Sequence, residues 1–361
     1  MRLQRLGLRN YRNYERLDLE PAPGLNVFLG SNGQGKTNLL ESIALLALSS
    51  SPRARRESEL VGPMTPACRV EAVVESGGRK RELQLDVSVE SERSRRQILI
   101  DGVKRKAIEL PGVLKVALFW PDDLGLVKGG PELRRRFLNQ LLVQVEPGYA
   151  GALSSYGRVM EQRNHLLKRV WIGEEPADSL DVWDEELVRH GSLLADARSR
   201  AVEELAPLAA EYHGLIAGGE ALEMRYLGPA DDLRKAVQNS RPDDLRRGAT
   251  SVGPHRDDLE LRIDGRDARA FGSQGQQRTA VVSLKQAEAA LIRRRSGEAP
   301  ILLLDDVLSE LDATRRAALF AAMDGAGQVV ITSVDAESFP ASMIAGASVL
   351  CIKSGFVQPC G

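Results

Sequence analysis

Apolar and polar positions interleave from the first residues: Leu3, Leu6 and Leu8, then Leu17 and Leu19, flank a polar turn at Asn10 to Asn13. This predicts strands of one sheet, and the apolar run Leu25 to Leu29 after Pro23-Gly24 predicts another. Strand patterns return at Arg69–Val74, Leu83–Val89 and Gln97–Ile100, with Asp101-Gly102 as a turn before Val103. From residue 121 the period lengthens. Phe137, Leu138, Leu141, Leu142 and Val145 make a helical stripe, and the spacing predicts further helices over Tyr149–Val170, Leu180–Tyr212 and Asp231–Arg247. Alternation resumes at Leu259, Leu261 and Ile263 before Asp264-Gly265, and the unbroken apolar runs Ile301–Leu304 and Val329–Ile331 read as strands buried on both faces. The pattern is α/β: a head built from residues 1–120 and 248–361, interrupted by a helical insertion over 121–247. No internal repeat and no low-complexity tract is visible.

Composition narrows the class. A chain of 361 residues, 43% hydrophobic and 27% charged, is ordinary globular material with room for two cores. Its 49 basic and 50 acidic residues exclude a polycation, while leaving basic side chains free to concentrate on one face. The cysteines, Cys68, Cys351 and Cys360, are odd in number and lack metal-ligand spacing, which points to a reduced intracellular compartment and to no zinc site. Charge interrupts the N-terminal MRLQRLGLRNY, and no run approaches the roughly 18 apolar residues of a membrane span. The expectation is a cytoplasmic protein with no membrane partner.

The strongest chemical signal is GSNGQGKT, Gly30 to Thr37, set between the strand Leu25–Leu29 and the helical stripe Leu39, Leu40, Ile43, Leu46. That strand–loop–helix context makes it a P-loop. Gly30, Ser31, Asn32, Gly33, Gln34 and Gly35 curl the backbone so that N–H groups face phosphate, Lys36 brings a cation to the β/γ oxygens, and the Thr37 hydroxyl can ligate Mg²⁺. An ATP site of this kind needs a second acidic group for the metal. Asp305 supplies it at the tip of ILLLDD, and Asp306 beside it can polarise the attacking water. FGSQGQQR, Phe271 to Arg278, opens a helix whose buried face is Val281, Leu284, Ala287, Leu291 and Ile292. Ser273 is its expected N-cap, and the Gly-Ser-Gln-Gly-Gln opening attracts an anion. Because Ser273 lies far along the chain from Lys36, its natural target is the γ-phosphate bound by another subunit.

GSNGQGKT, SQGQQR and ILLLDDVLSELD, in that order, resemble the ABC-type ATPase heads of the SMC, RecN and RecF group. LRNYRNYERLDLEPAPGLNVFLGSNGQGKTNLLESIALLA, KGGPELRRRFLN and GPHRDDLEL extend the resemblance to the RecF family along nearly the whole chain. The resemblance implies an ABC-type head, lobe I, with an inserted helical lobe II, and a recombination-repair ATPase that dimerises around two ATP molecules. Ser273, Gly275 and Gln276 then match the signature segment that reaches the partner's γ-phosphate, and Val307 to Asp312 match the loop that crosses the dimer. It further implies DNA, duplex or at a duplex–gap junction, as ligand, and RecR, RecO and RecA as partners. Two departures stand out: Asp306 replaces the longer glutamate of transporter-type heads, implying slow hydrolysis that DNA stimulates, and ITSVD lacks the switch histidine. PDDL, Pro121 to Leu124, lacks the lid glutamine.

Basic runs are usually solvated charge. By the resemblance, Arg53, Arg55 and Arg56 and the KRK of Lys104, Arg105 and Lys106 become DNA-contact candidates, and Lys128 with Arg134 to Arg136 forms a third cluster. His255 follows a Gly-Pro turn and has no matching metal ligands, so a structural hydrogen bond is its expected role. A transporter's nucleotide subunit shares the motifs but lacks the long insertion. An SMC-like bridge needs a coiled coil that Pro176, Pro207, Pro229 and Pro242 interrupt. A small-molecule P-loop kinase needs an acceptor pocket, and no motif here suggests one.

Overall fold

The computed structural model describes residues 1–90, 93–229, 232–323 and 326–360. They form two compact units: Met1–Leu124 with Leu215–Gly218 and Val281–Gly361, and Gly125–Gly214 with Gly219–Ala280.

The first unit holds two six-stranded sheets. One is antiparallel: β1 (Arg2–Tyr11), β2 (Tyr14–Leu19), β4 (Ala67–Ser76), β5 (Arg79–Glu90), β6 (Arg93–Ile100) and β7 (Val103–Arg105), in the order β2-β1-β4-β5-β6-β7. Its alternating sequence gives one buried face, with Val70, Ala72 and Val74 beside Leu83, Leu85 and Val87. The other comprises β3 (Gly24–Leu29), β8 (Val116–Phe119), β12 (Ile301–Asp305), β13 (Gln328–Ser333), β14 (Ser348–Lys353) and β15 (Phe356–Pro359), ordered β15-β14-β3-β13-β12-β8. It is parallel except for the terminal β14–β15 hairpin. Its central strands β12 and β13 are buried along their whole length, which is why their sequences show no alternation. Helix α1 (Lys36–Leu48) leaves β3 through the P-loop and is buried at nearly every position.

The second unit is mainly helical: α2 (Gly125–Lys128), α3 (Pro131–Val145), α4 (Tyr149–Trp171), α5 (Asp181–Ala217) and α6 (Leu233–Arg247). Asp231, the expected start of the last helix, lies outside the described residues. Leu142, Tyr149, Tyr156, Leu187, Leu194 and Val237 share its core. The unit also contains a small sheet, β9 (Leu222–Leu227), β10 (Asp258–Ile263) and β11 (Arg266–Asp267), ordered β11-β10-β9 and followed by α7 (Ala268–Phe271); of its strands the alternation at Leu259, Leu261 and Ile263 predicted β10, but as part of the head. Because β10 pairs with β9 and β11, it belongs to this unit, and the contact boundary falls at 280/281 inside helix α8 (Gln274–Ser296). Sequence texture placed the change at 247/248. After β12 come α9 (Ala313–Met323) and, later, α10 (Ala341–Ala345).

The cysteine reading needs correction. Cys351 and Cys360 are joined by a disulfide across the terminal hairpin, and Cys68 alone is a free, buried thiol. An odd count hid a pair because pairing depends on strand register, not on spacing. Among the described residues no helix is long and apolar enough to cross a membrane.

Candidate nucleotide site

The loop from β3 into α1 is built around backbone that only glycine takes easily. Gly33 and Gly35 have φ of +81° and +114°, and a Cβ on Gly30 would lie 2.5 Å from the Ile352 carbonyl oxygen. Lys36 is 6% exposed; its Nζ donates to the carbonyl of Gly30 and to that of Ser31 at 3.2 Å. Burial lowers the pKa of this ammonium, and the nearby charges of Asp306 and Asp305 oppose that shift. A cation held by its own loop's carbonyls, with α1's first N–H groups beside it, is suited to an anion.

Asp305, buried at the tip of β12, has its pKa raised by burial, while hydrogen bonds from the hydroxyls of Thr332 (Oγ1 to Oδ1, 2.8 Å) and Thr37 favour the carboxylate. The two residues expected to hold Mg²⁺, Thr37 and Asp305, therefore meet, and this donor set of hydroxyl and carboxylate oxygens suits a hard cation. Asp306 takes a left-handed backbone (φ +49°), and its N–H donates to the carbonyl oxygen of Thr332 at 3.2 Å and to its hydroxyl at 3.1 Å. In ITSVD, Thr332 thus fastens both aspartates, and the Ser333 carbonyl accepts from the Gly30 N–H at 3.2 Å.

Several residues around the loop carried no motif signal. The β1–β2 turn reaches it: Asn13 Nδ2 donates to the Gln34 carbonyl (3.0 Å), and the Tyr14 hydroxyl to that of Gly35 (2.9 Å). Arg12 grips Glu41 of α1 with two hydrogen bonds of 2.9 and 2.7 Å. From the other side the β14–β15 turn donates the Ser354 N–H to Gln34 Oε1 (2.6 Å) and the Gly355 N–H to the Gln34 carbonyl (3.0 Å). The only hint in the sequence was the polar turn at Asn10 to Asn13.

The basic candidates separate. Arg53 is exposed, yet its guanidinium lies 3.0 Å from Asn38 Oδ1 and 3.5 Å from Glu41, and its charge opposes the upward shift that burial gives Asp305. Arg55 and Arg56 are exposed, as are Lys104, Arg105 and Lys106 on and after the edge strand β7, where Arg105 pairs with Glu109 at 3.5 Å. In the third cluster, Arg134 is buried on Asp258 (2.6 and 2.9 Å) and Arg135 donates to the Asp257 carbonyl (2.6 Å), so these two arginines are structural. His255 is structural too, bonded to the Tyr156 hydroxyl at 2.8 Å and the Thr250 carbonyl at 3.1 Å. In PDDL, Asp123 caps the Trp120 N–H at 2.7 Å.

The signature residues lie in the second unit. Ser273 Oγ accepts from the Gln276 N–H (3.2 Å), while Gln276 Oε1 accepts from the Ser273 N–H (2.8 Å). This reciprocal capping box starts α8 at an exposed serine. Gln276 Nε2 is engaged by Glu220 at 2.9 Å, and Gly275 by the Thr279 hydroxyl at 3.1 Å.

The family described as RecF/RecN/SMC N terminal domain matches residues 2–349. The chain is 39% identical to the DNA replication and repair protein RecF of Heliobacterium modesticaldum, with 98% of each chain covered, and 40% identical to that of Desulforudis audaxviator, with 99% of each covered. Among solved structures, the recombination mediator RecF with ATPrS superposes with a TM-score of 0.91 at 30% identity, covering 100% of this chain and 98% of that one. RecF with ATP superposes at 0.90 and 30%, covering 99% and 97%. An Smc head, 16% identical with a TM-score of 0.56 and covering 99% and 96%, shares the fold. With these matches spanning nearly its whole length, the chain belongs to the RecF family, an ABC-type ATPase fold of the RecF/RecN/SMC group.

Proposed function

We propose that this chain is an ATP-operated DNA clamp of recombinational repair, whose ATP-bound homodimer engages duplex DNA or a duplex–gap junction and works with RecR and RecO to place RecA. The observation that carries the reading is the meeting of Lys36, Thr37 and Asp305 at the carboxyl ends of β3 and β12, where a P-loop fold takes a nucleotide. The family relatives, named for DNA replication and repair and solved with ATP in the RecFOR pathway, support the rest.

In this reading Gly30 to Gly35 wrap the phosphates with backbone N–H groups, and Lys36 exchanges its carbonyl partners for β- and γ-phosphate oxygens. Mg²⁺, when held by Thr37 and Asp305, supplies charge neutralisation on those oxygens. Asp306 accepts the proton of the attacking water, giving ADP and phosphate. Its short side chain makes turnover slow, and DNA accelerates it. Ser273, Gly275 and Gln276 complete the partner's site. Arg53, given its place beside α1 and Asp305, serves the nucleotide, whereas Arg55, Arg56, Lys104, Arg105 and Lys106 remain for DNA. The working location is the cytoplasm, at the nucleoid. An SMC-like bridge is disfavoured because the long helices here, α4 and α5, are 23 and 37 residues.

Lys36→Met tests the site. It should abolish tight ATP binding and ATP-dependent dimerisation, read by nucleotide titration and sedimentation; unchanged ATP affinity would refute the assignment. In the parent, duplex DNA should raise the turnover rate, and indifference to DNA would remove the clamp.

A further inference from the structure

We propose that Cys351 and Cys360 form a redox-controlled clasp that sets how firmly the P-loop is held, and with it the affinity for ATP. The proposal rests on the nucleotide site described above and adds a regulation to it.

Cys351 lies in β14, paired in register with Leu29, the last residue of β3 before the P-loop. Directly after β14, the two-residue turn Ser354–Gly355 donates both of its N–H groups to Gln34. One side of the loop is therefore held by the β14–β15 hairpin. That hairpin is weak by construction. Among the described strands β15 is an edge strand hydrogen-bonded to β14 alone, though it also touches β2; it pairs over four register positions, and Phe356, Gln358 and Pro359 are exposed. Pro359, at the open end, has no N–H to contribute to the ladder. The two-residue turn needs left-handed backbone at both positions; Gly355 (φ +80°) takes it freely, whereas Ser354 (φ +50°) is strained there. Such a hairpin opens locally from the end opposite its turn. Cys360 sits at that end, immediately after Pro359, and its bond to Cys351 blocks the first step of opening.

The chemistry needs an external disulfide of low molecular weight. One cysteine thiolate attacks it, forming a mixed disulfide and expelling one small thiol. The second cysteine thiolate then displaces the other small thiol, whose sulfur takes up the proton, so the protein loses two hydrogens and the reagent gains them. Cys68 does not compete, being buried with its thiol pushed up to about 12 by that burial.

The test uses the full chain, oxidised with a small disulfide or reduced with a phosphine, and titrated with a fluorescent ATP analogue while mass spectrometry reports the two-hydrogen difference. Reduction should weaken binding by about three- to tenfold, the size expected if the open hairpin becomes a populated state. Cys351→Ser and Cys360→Ser should sit at the weak value under both conditions. Gln34→Ala, which removes the Ser354 contact but keeps the backbone carbonyl that Gly355 grips, should still form the disulfide but show a smaller redox dependence. Equal affinities in the two verified redox states, or failure of the disulfide to form, would overturn the clasp. Absence of analogue binding in both states would instead overturn the nucleotide site beneath it.

Discussion

Arg12→Ala probes how the β1–β2 turn braces the P-loop helix. Glu41 has a fully buried side chain and accepts two hydrogen bonds from Arg12, whose own side chain is 19% exposed; it also accepts from the Ser51 hydroxyl at 2.5 Å, with Arg53 at 3.5 Å. Breaking a buried ion pair by deleting one partner costs about 3–5 kcal/mol, because the survivor is left buried and unpaired. Arg53 still faces Glu41, and water reaches Arg12, so the expected cost is about 2–3 kcal/mol. Alanine keeps the Cβ of arginine at φ +53°, so backbone strain does not change. The assay is urea unfolding of the nucleotide-free protein, paired with ATP titration, since the same turn carries Asn13 and Tyr14 to the loop. Arg12→Met combined with Glu41→Leu removes both charges and should recover most of the lost stability. A single variant within about 0.5 kcal/mol of the parent, or a double variant no better than the single, would refute the reasoning.

Asp306→Asn keeps a residue type that tolerates the left-handed backbone, and should retain ATP while removing the proton acceptor, so ATP-bound dimers should persist in sedimentation; decay at the parental rate would assign the base elsewhere. Ser273→Arg should bind ATP as a monomer yet fail to dimerise, and mixed with Lys36→Met it should regain one composite site and measurable turnover; loss of ATP binding by Ser273→Arg alone would end the trans assignment. Burial lowers the pKa of His255, so as pH falls through about 6.5 the unfolded chain takes up the proton first and stability is lost. His255→Gln should lose less stability than the parent between pH 7.5 and 5.5 in denaturant titrations, and identical slopes would show that His255 does not report this linkage.

The reach of sequence reasoning follows from the range of the interactions. GSNGQGKT and ILLLDD were readable because each is a contiguous segment whose chemistry and flanking pattern coincide, and the unbroken apolar runs of β12 and β13 announced their burial. β9 was passed over because LEMRYL is short and lies among long helices, although Leu222 and Met224 do alternate inward. Arg53 was read with its neighbours in a basic run as a DNA-contact candidate, and nothing in that run signals its contacts with Asn38 and Glu41 of α1. The supports of the P-loop were the least legible part. Asn13, Tyr14, Thr332 and the Ser354–Gly355 turn act through single hydrogen bonds between distant segments, and no local period encodes such a bond.

The strand order β14-β3-β13 imposes a timetable on synthesis. β3 leaves the ribosome some three hundred residues before its two neighbours, Gln328–Ser333 and Ser348–Lys353. Until they arrive, both edges of β3 are open and the Gly30 N–H has no Ser333 carbonyl to meet. A nascent chain therefore carries GSNGQGKT well before the strands that flank β3 in the sheet exist. The β3–α1 segment, apolar and unpaired along both edges of its strand, depends on shielding until those partner strands are made.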